Sequence, residues 1–102
     1  MDAEIKSVIE SDIHSNKIFL FMKGTPEEPE CGFSRAAATI IARHTNQFST
    51  CNVLADENIR QGIKEFSNWP TIPQLYVDGK FVGGYDIMME MEKDGELSSL
   101  LS

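Results

Sequence analysis

The chain has only two cysteines in 102 residues, Cys31 and Cys51. Two are too few for a disulfide framework, or for a four-thiolate metal site within one copy. Cations are also scarce. Lys and Arg number 9 against 16 Asp and Glu, for a formal net charge of -7. Such a surface repels phosphate backbones, which excludes nucleic-acid binding through a basic face. No apolar run approaches the roughly 20 residues of a membrane span. There is no internal repeat, low-complexity tract or linker. The opening Met1-Asp2-Ala3-Glu4-Ile5-Lys6 has no apolar signal core and is acidic where a transit peptide is basic. The expectation is one globular domain, residues 1–102, in a reducing compartment. That compartment is the cytoplasm, or an organelle matrix if a transit peptide has been removed.

What is present is regular. Ile5, Val8, Ile9 and Ile13 recur at helical spacing, which predicts an amphipathic helix over 3–14. Lys17 to Met22 is nearly all apolar and reads as a central strand buried on both faces. Gly24 to Glu30 is a loop by every local signal. From Gly32 to about residue 46, Phe33, Ala37, Ile40, Ile41 and His44 share one helical stripe. Thr50 to Ala55 fits a second strand, with Cys51, Val53 and Ala55 on one face. Asp56 caps a helix over Glu57 to Phe66, whose inner face carries Ile59, Ile63 and Phe66. Leu75-Tyr76-Val77 and Lys80-Phe81-Val82 flank Asp78-Gly79, a strong hairpin signal. Asp86 is expected to cap a last helix, Ile87 to Lys93, and Glu96 to Leu101 to add a further turn. The order α-β-α-β-α-β-β-α makes an α/β fold. Its four-stranded mixed sheet has one right-handed parallel crossover, one antiparallel hairpin and helices on both faces.

Cys31 follows the loop and begins a helix. There its sulfur meets unpaired backbone N–H groups and the positive end of the helix dipole, both of which favour thiolate. The use is a nucleophile or a metal ligand; the bland alternative is a small buried helix-start residue. Cys31-Gly32-Phe33-Ser34 has the spacing of a thioredoxin-type Cys-x-x-Cys site with serine in the second place. Ser34 can donate a hydrogen bond to the thiolate but cannot attack a mixed disulfide. Any thiol chemistry must therefore use an external thiol, or Cys51 if geometry allows.

Four segments in order, Phe21-Met22-Lys23-Gly24-Thr25-Pro26, Cys31-Gly32-Phe33-Ser34, Trp69-Pro70-Thr71-Ile72-Pro73-Gln74 and Gly83-Gly84-Tyr85-Asp86-Ile87, resemble a single-domain monothiol glutaredoxin of the Cys-Gly-Phe-Ser class. The resemblance covers almost the whole chain. It implies a thioredoxin-like fold, glutathione binding, and a glutathione-ligated [2Fe-2S] cluster bridging two subunits, with poor activity in the usual disulfide assays. It implies that Cys31 is both the catalytic sulfur and the protein's cluster ligand, and that Phe33 contacts glutathione. It implies that Lys23 approaches the cysteine and that Arg60 reaches the glycine carboxylate, which an arginine can grip with two parallel hydrogen bonds. It also implies a cis bond before Pro73, with Thr71 and the Ile72 backbone open to an extended peptide. The N–H groups of Tyr85 and Asp86, after Gly84, can hold the γ-glutamyl carboxylate, and the Asp86 carboxylate can accept the ammonium. Tyr85 departs from the small residue, often cysteine, that the class carries there.

Other residues receive structural readings. Trp69-Pro70 is a packed turn beneath the proline loop, with partner contact as the alternative for Trp69. Met88, Met89 and Met91 are core packing with a stray exposed Met, rather than a soft-metal site. His14 and His44 have no ligand-like spacing. Cys51 is expected in a strand, so burial is simpler for it than a regulatory disulfide with Cys31.

A [2Fe-2S] cluster needs four ligands. Two routes supply them: Cys31 and Cys51 from each of two copies, or two Cys31 and two glutathione thiolates. The second matches the resemblance. The expected function is a carrier that holds the cluster in a homodimer and passes it to apo iron-sulfur proteins, with BolA-like proteins as mixed-dimer partners. A glutathione-dependent oxidoreductase acting on protein–glutathione disulfides is the alternative. A third reading is an adaptor reporting iron or oxidant status.

Overall fold

Ile18-Phe19-Leu20-Phe21-Met22 forms β1, and all five residues are buried. A five-residue apolar run can be buried throughout only if both faces of its sheet are covered. In the computed structural model, which describes residues 1–102, both are. Alternate side chains serve two separate cores. Ile18, Leu20 and Met22 join Leu75, Val77 and the helical residues Ala37, Ile41, Met88 and Leu97. Phe19 and Phe21 point the other way, to Ile9, Ile13, Ile59, Ile63 and Tyr76. Each such side chain fully withdrawn from water contributes about 1.5–3 kcal/mol.

The elements are α1 (Ala3–Ser15), β1 (Ile18–Met22), α2 (Gly32–Ala42), β2 (Ser49–Asn52), α3 (Glu57–Ser67), β3 (Gln74–Val77), β4 (Lys80–Gly83), α4 (Tyr85–Asp94) and α5 (Glu96–Leu101). The sheet order is β2-β1-β3-β4. β1 and β2 are parallel, with Leu20 opposite Thr50 and Phe21 opposite Cys51. β3 is antiparallel to both β1 and β4. This is the expected mixed sheet, with α2, α4 and α5 on one face and α1 and α3 on the other. Asp78 and Gly79 both have positive φ, 53° and 78°, as the tight hairpin turn requires. Asp2 and Asp56 cap α1 and α3 through their carboxylates.

Several sequence expectations need correction. Val8 is 43% exposed and does not belong to the buried stripe of α1, which is built on Ile9 and Ile13. β2 ends at Asn52, and Val53–Ala55 is a single 3-10 turn. The cause is Asn52, whose Oδ1 accepts the N–H of Leu54 at 3.0 Å and of Gly24 at 2.9 Å, replacing ladder geometry with a local turn. Cys51, Val53 and Ala55 therefore share no strand face. α2 stops at Ala42, and residues 43–45 tighten into turn bonds onto Thr39, Ile40 and Ile41. His44 leaves the stripe and meets Glu92 of α4, Nε2 to Oε1 at 2.6 Å, with Arg43 3.8 Å from the same carboxylate. α4 starts at Tyr85 with Gly84 in the cap position, because the Gly84 carbonyl already accepts the Met88 N–H at 3.0 Å. Asp86 thus lies in the first turn and makes no capping hydrogen bond. Met88 is fully buried, and Met89 and Met91 pack against the same core, so the expected packing is present and none of the three is the stray exposed one.

One buried polar residue links the sheet to the loop before it. Gln74, with no exposed surface, donates from Nε2 to the carbonyls of Trp69 at 3.2 Å and Thr71 at 3.1 Å. Gln74→Leu keeps most of the volume and removes the donor. Urea unfolding is expected to show a loss of about 1–3 kcal/mol with little change in slope.

Candidate active site around Cys31

The end of β1 feeds a short loop that is closed on itself. Gly24 and Pro29 form an isolated bridge, and Thr25 and Glu28 exchange backbone hydrogen bonds at 3.2 and 3.1 Å. Gly24 has φ 85°, and a Cβ there would stand 2.4 Å from the Glu28 carbonyl oxygen, so only glycine closes the loop this tightly. The Glu30 N–H returns to the Lys23 carbonyl at 3.0 Å. The chain is thereby delivered to Cys31 in an extended conformation (φ -157°, ψ 137°), directly before α2.

Cys31 is half-buried. Its thiol is held below the usual thiol range, chiefly by the Ser34 N–H. Partial desolvation opposes this, while the Phe33 N–H, the Lys23 ammonium and the Ser34 hydroxyl reinforce it. These are the interactions expected of a sulfur at a helix start, although none is a full capping hydrogen bond. Ser34 is fully buried, and its Oγ accepts the Lys23 N–H at 3.0 Å. The hydroxyl that replaces a second thiol thus joins the end of β1 to α2 while leaving its proton for the sulfur.

Cys51 is the opposite case. Burial pushes its thiol up to about 11, with the charges of Asp12 and Asp56 adding to the effect. It packs against the core shared by α1 and α3. A thiol so placed is almost entirely protonated at neutral pH and is a poor nucleophile.

Beside the start of α2 lies a cleft of about 180 Å³, walled by Phe33, Thr71, Ile72, Pro73, Gly84, Tyr85 and Asp86 together with Trp69 and Ile87. Seven of the ten expected glutathione-site residues are therefore brought together. Ile72-Pro73 is cis, as the resemblance implies. Phe33 is 60% exposed, so it serves this cleft and not the buried stripe of α2 on which the helical pattern placed it. Its ring lies 5.3 Å from that of Tyr85, joining the first turns of α2 and α4. Gly84 lies in the wall, and a Cβ on it would come within 3.2 Å of the Pro73 carbonyl oxygen, so its bare backbone leaves room for a ligand. Lys23, Cys31 and Arg60 are not part of the wall. Lys23 acts on the sulfur through its charge. The Arg60 guanidinium lies 3.8 Å from the Glu57 carboxylate, one turn away on the same helix.

Trp69 and Ile87 line the cleft although the sequence pattern assigns neither to the glutathione site. Exposure of a large ring, 38% for Trp69, is what marks it in three dimensions. In the sequence the only hint was its position next to the Thr71-Ile72-Pro73 segment.

The two thiols should separate cleanly by alkylation. With iodoacetamide and mass spectrometry across a pH series, Cys31 is expected to react first, with its inflection below that of a free thiol. The thiolate is the stabilised form in the fold, so ionisation occurs at lower pH. Cys51 in the native protein should stay largely unmodified until the pH nears 11. Equal reactivity of the two at pH 7 would contradict this assignment.

Comparison with known proteins agrees with this geometry. A family model described as glutaredoxin matches residues 18–82. The chain is 52% identical over 101 residues to a monothiol glutaredoxin of Synechocystis sp. (ycf64-like), covering 99% of this chain and 94% of that one. It is likewise 52% identical over 104 residues to the mitochondrial monothiol glutaredoxin-5 of Lachancea kluyveri, covering 99% and 73%. The solution structure of reduced poplar apo GrxS14 superposes with a TM-score of 0.82 at 46% identity, over 93% of this chain and 87% of that one. A serine in the second motif position, a lone activated sulfur and these likenesses agree: the chain belongs to the glutaredoxin family, among its monothiol members.

Proposed function

We propose that this chain binds glutathione beside Cys31 and carries a [2Fe-2S] cluster between two copies of itself, delivering it to apo iron-sulfur proteins. The observation that carries the reading is the solitary activated sulfur. The chain gathers no three His, Cys, Asp or Glu side chains into a metal-binding group. One copy therefore supplies too few ligands for a cluster, while Cys31 is half-buried at a helix start and fits a single thiolate ligand. Cys51 is protonated and packed against the α1/α3 core, which speaks against the route that uses two cysteines per copy. Two Cys31 and two glutathione thiolates complete the set. Delivered to an apo-protein, the cluster supplies its iron and sulfide as a unit.

The chain's own residues then have defined tasks. The N–H groups of Ser34 and Phe33 and the Lys23 ammonium keep the Cys31 sulfur anionic. Thr71, the Ile72 backbone and Pro73 align the peptide, and Gly84 admits its γ-glutamyl end to the first turn of α4, whose Tyr85 and Asp86 N–H groups hold the carboxylate. The Asp86 carboxylate takes the ammonium. Phe33 and Tyr85 cover the peptide from the side. Arg60 reaches the glycine carboxylate by exchanging its Glu57 contact for it. BolA-like proteins are proposed as mixed-dimer partners. The proposed compartment is the cytoplasm or an organelle matrix, where glutathione keeps thiols reduced; no helix is long and apolar enough to cross a membrane.

The same activated thiolate also supports a second reading as an oxidoreductase. Cys31 would attack the glutathione sulfur of a protein–glutathione disulfide, releasing the protein thiolate and forming a Cys31–glutathione disulfide. A second glutathione thiolate would then attack that bond, restoring Cys31 and leaving glutathione disulfide.

Reconstitution with iron, sulfide and glutathione separates the two. The carrier predicts a visible cluster spectrum and a dimer by gel filtration, both dependent on glutathione. Both should be lost in Cys31→Ser and retained in Cys51→Ser. Fast turnover of a glutathionylated substrate by a colourless monomer would favour the oxidoreductase instead.

A further inference from the structure

Trp69 is the only tryptophan in the chain, and the packing of its turn accounts for its backbone and ring but not for its indole N–H. Its backbone is fixed at both ends. The N–H donates to the Lys64 carbonyl at 3.2 Å and to Ser67 Oγ at 3.1 Å, and the carbonyl accepts from Gln74 Nε2 at 3.2 Å. The ring is braced by Phe81, with centroids 5.7 Å apart. Every hydrogen bond that Trp69 makes within the chain is through its backbone. The indole N–H is left over, on a ring that cannot easily turn away.

That N–H faces the cleft. Nε1 lies 3.4 Å from the point that a Cβ on Gly84 would occupy. The Pro73 carbonyl oxygen is 3.2 Å from the same point and Thr71 Oγ1 is 4.0 Å from it. Gly84 caps α4, so the first N–H groups of that helix open onto the same space, and Asp86 adds a carboxylate in the cleft wall. Donors and acceptors of both kinds therefore converge over one glycine. A uniform anion would meet the Pro73 carbonyl and Asp86, and a uniform cation would meet the indole and the helix N–H groups. A group carrying a carboxylate and an ammonium on one carbon satisfies all of them. A space of about 180 Å³ suits one amino-acid end of a small peptide rather than the whole molecule.

We infer that Trp69 is a specificity-determining residue of the glutathione site: its indole N–H donates to the free α-carboxylate of the γ-glutamyl group. The inference rests on the proposed glutathione binding. The indole is donor-only, so it selects the carboxylate oxygen and not the neighbouring ammonium. The helix N–H groups and the indole grip the carboxylate from two elements, α4 and the turn after α3, and this fixes the peptide's direction along the cleft.

The test uses Trp69→Phe, which keeps an aromatic ring and removes the donor. Two probes are compared by calorimetry: glutathione, and its analogue in which 4-aminobutyrate replaces the γ-glutamyl group, which keeps the ammonium and lacks the α-carboxylate. The expected result is a loss of about tenfold in glutathione affinity, as for a hydrogen bond to a charged group, with less than a twofold change for the analogue. Equal affinities of wild type and variant for glutathione would overturn the inference, and so would an equal loss for both probes, which would make Trp69 a structural support only. If the variant does not fold, the wild type decides through its sole indole. Its emission should respond more strongly to saturating glutathione than to the saturating analogue, and an equal response overturns the inference. Failure of the wild type to bind glutathione at all would instead remove the underlying reading, and this inference with it.

Discussion

A single hydrogen bond, from the Lys23 N–H to the Ser34 hydroxyl at 3.0 Å, ties the end of the central strand to the first turn of α2. Everything at the site is arranged around it. The strand cannot drift, because its five side chains are shared between two cores. The helix cannot drift, because Ser34 is fully buried. Between them the closed loop of residues 24–30 has one way to present Cys31. The hydroxyl is thus a structural fastener first and an influence on the sulfur second. A thiol is a weaker acceptor and would hold this junction less firmly.

The two cysteines show how local chemistry divides one residue type into two behaviours. Cys31 has N–H groups and an ammonium around it; Cys51 has a hydrophobic core and two carboxylates. Both patterns follow from backbone position. One sulfur stands at a helix start, and the other stands in β2 opposite Phe21, facing α1 and α3. The first effect needs no burial and the second is made by burial.

Much of this was legible in the chain. A run such as Ile18 to Met22 has no other stable environment, and Asp78-Gly79 between apolar triplets specifies its own turn. The helix-start cysteine followed from the loop before it and the stripe after it. What escaped the sequence reading was decided by side chains competing with backbone. Asn52 ends β2 by accepting two N–H groups, a choice that depends on Gly24 being nearby in space. α4 begins one residue before Asp86, because a carbonyl at Gly84 was free to start it. Trp69 and Ile87 reach the cleft from segments whose placement only the folded sheet determines. The pairing of Arg60 with Glu57 is local but turns on a rotamer, which periodicity does not encode.

The rings of Phe33 and Tyr85 meet at the beginnings of α2 and α4, and Arg43 and His44 meet Glu92 at the far ends. The two helices therefore run side by side in the same direction. Aligned dipoles repel one another, and here both positive poles open on one window of a molecule that is otherwise strongly negative. The Asp86 carboxylate in the first turn of α4 and the guanidinium at the opposite pole offset part of that repulsion. An anion lodged in the window would offset more of it, so occupancy and cohesion of the helix pair reinforce each other.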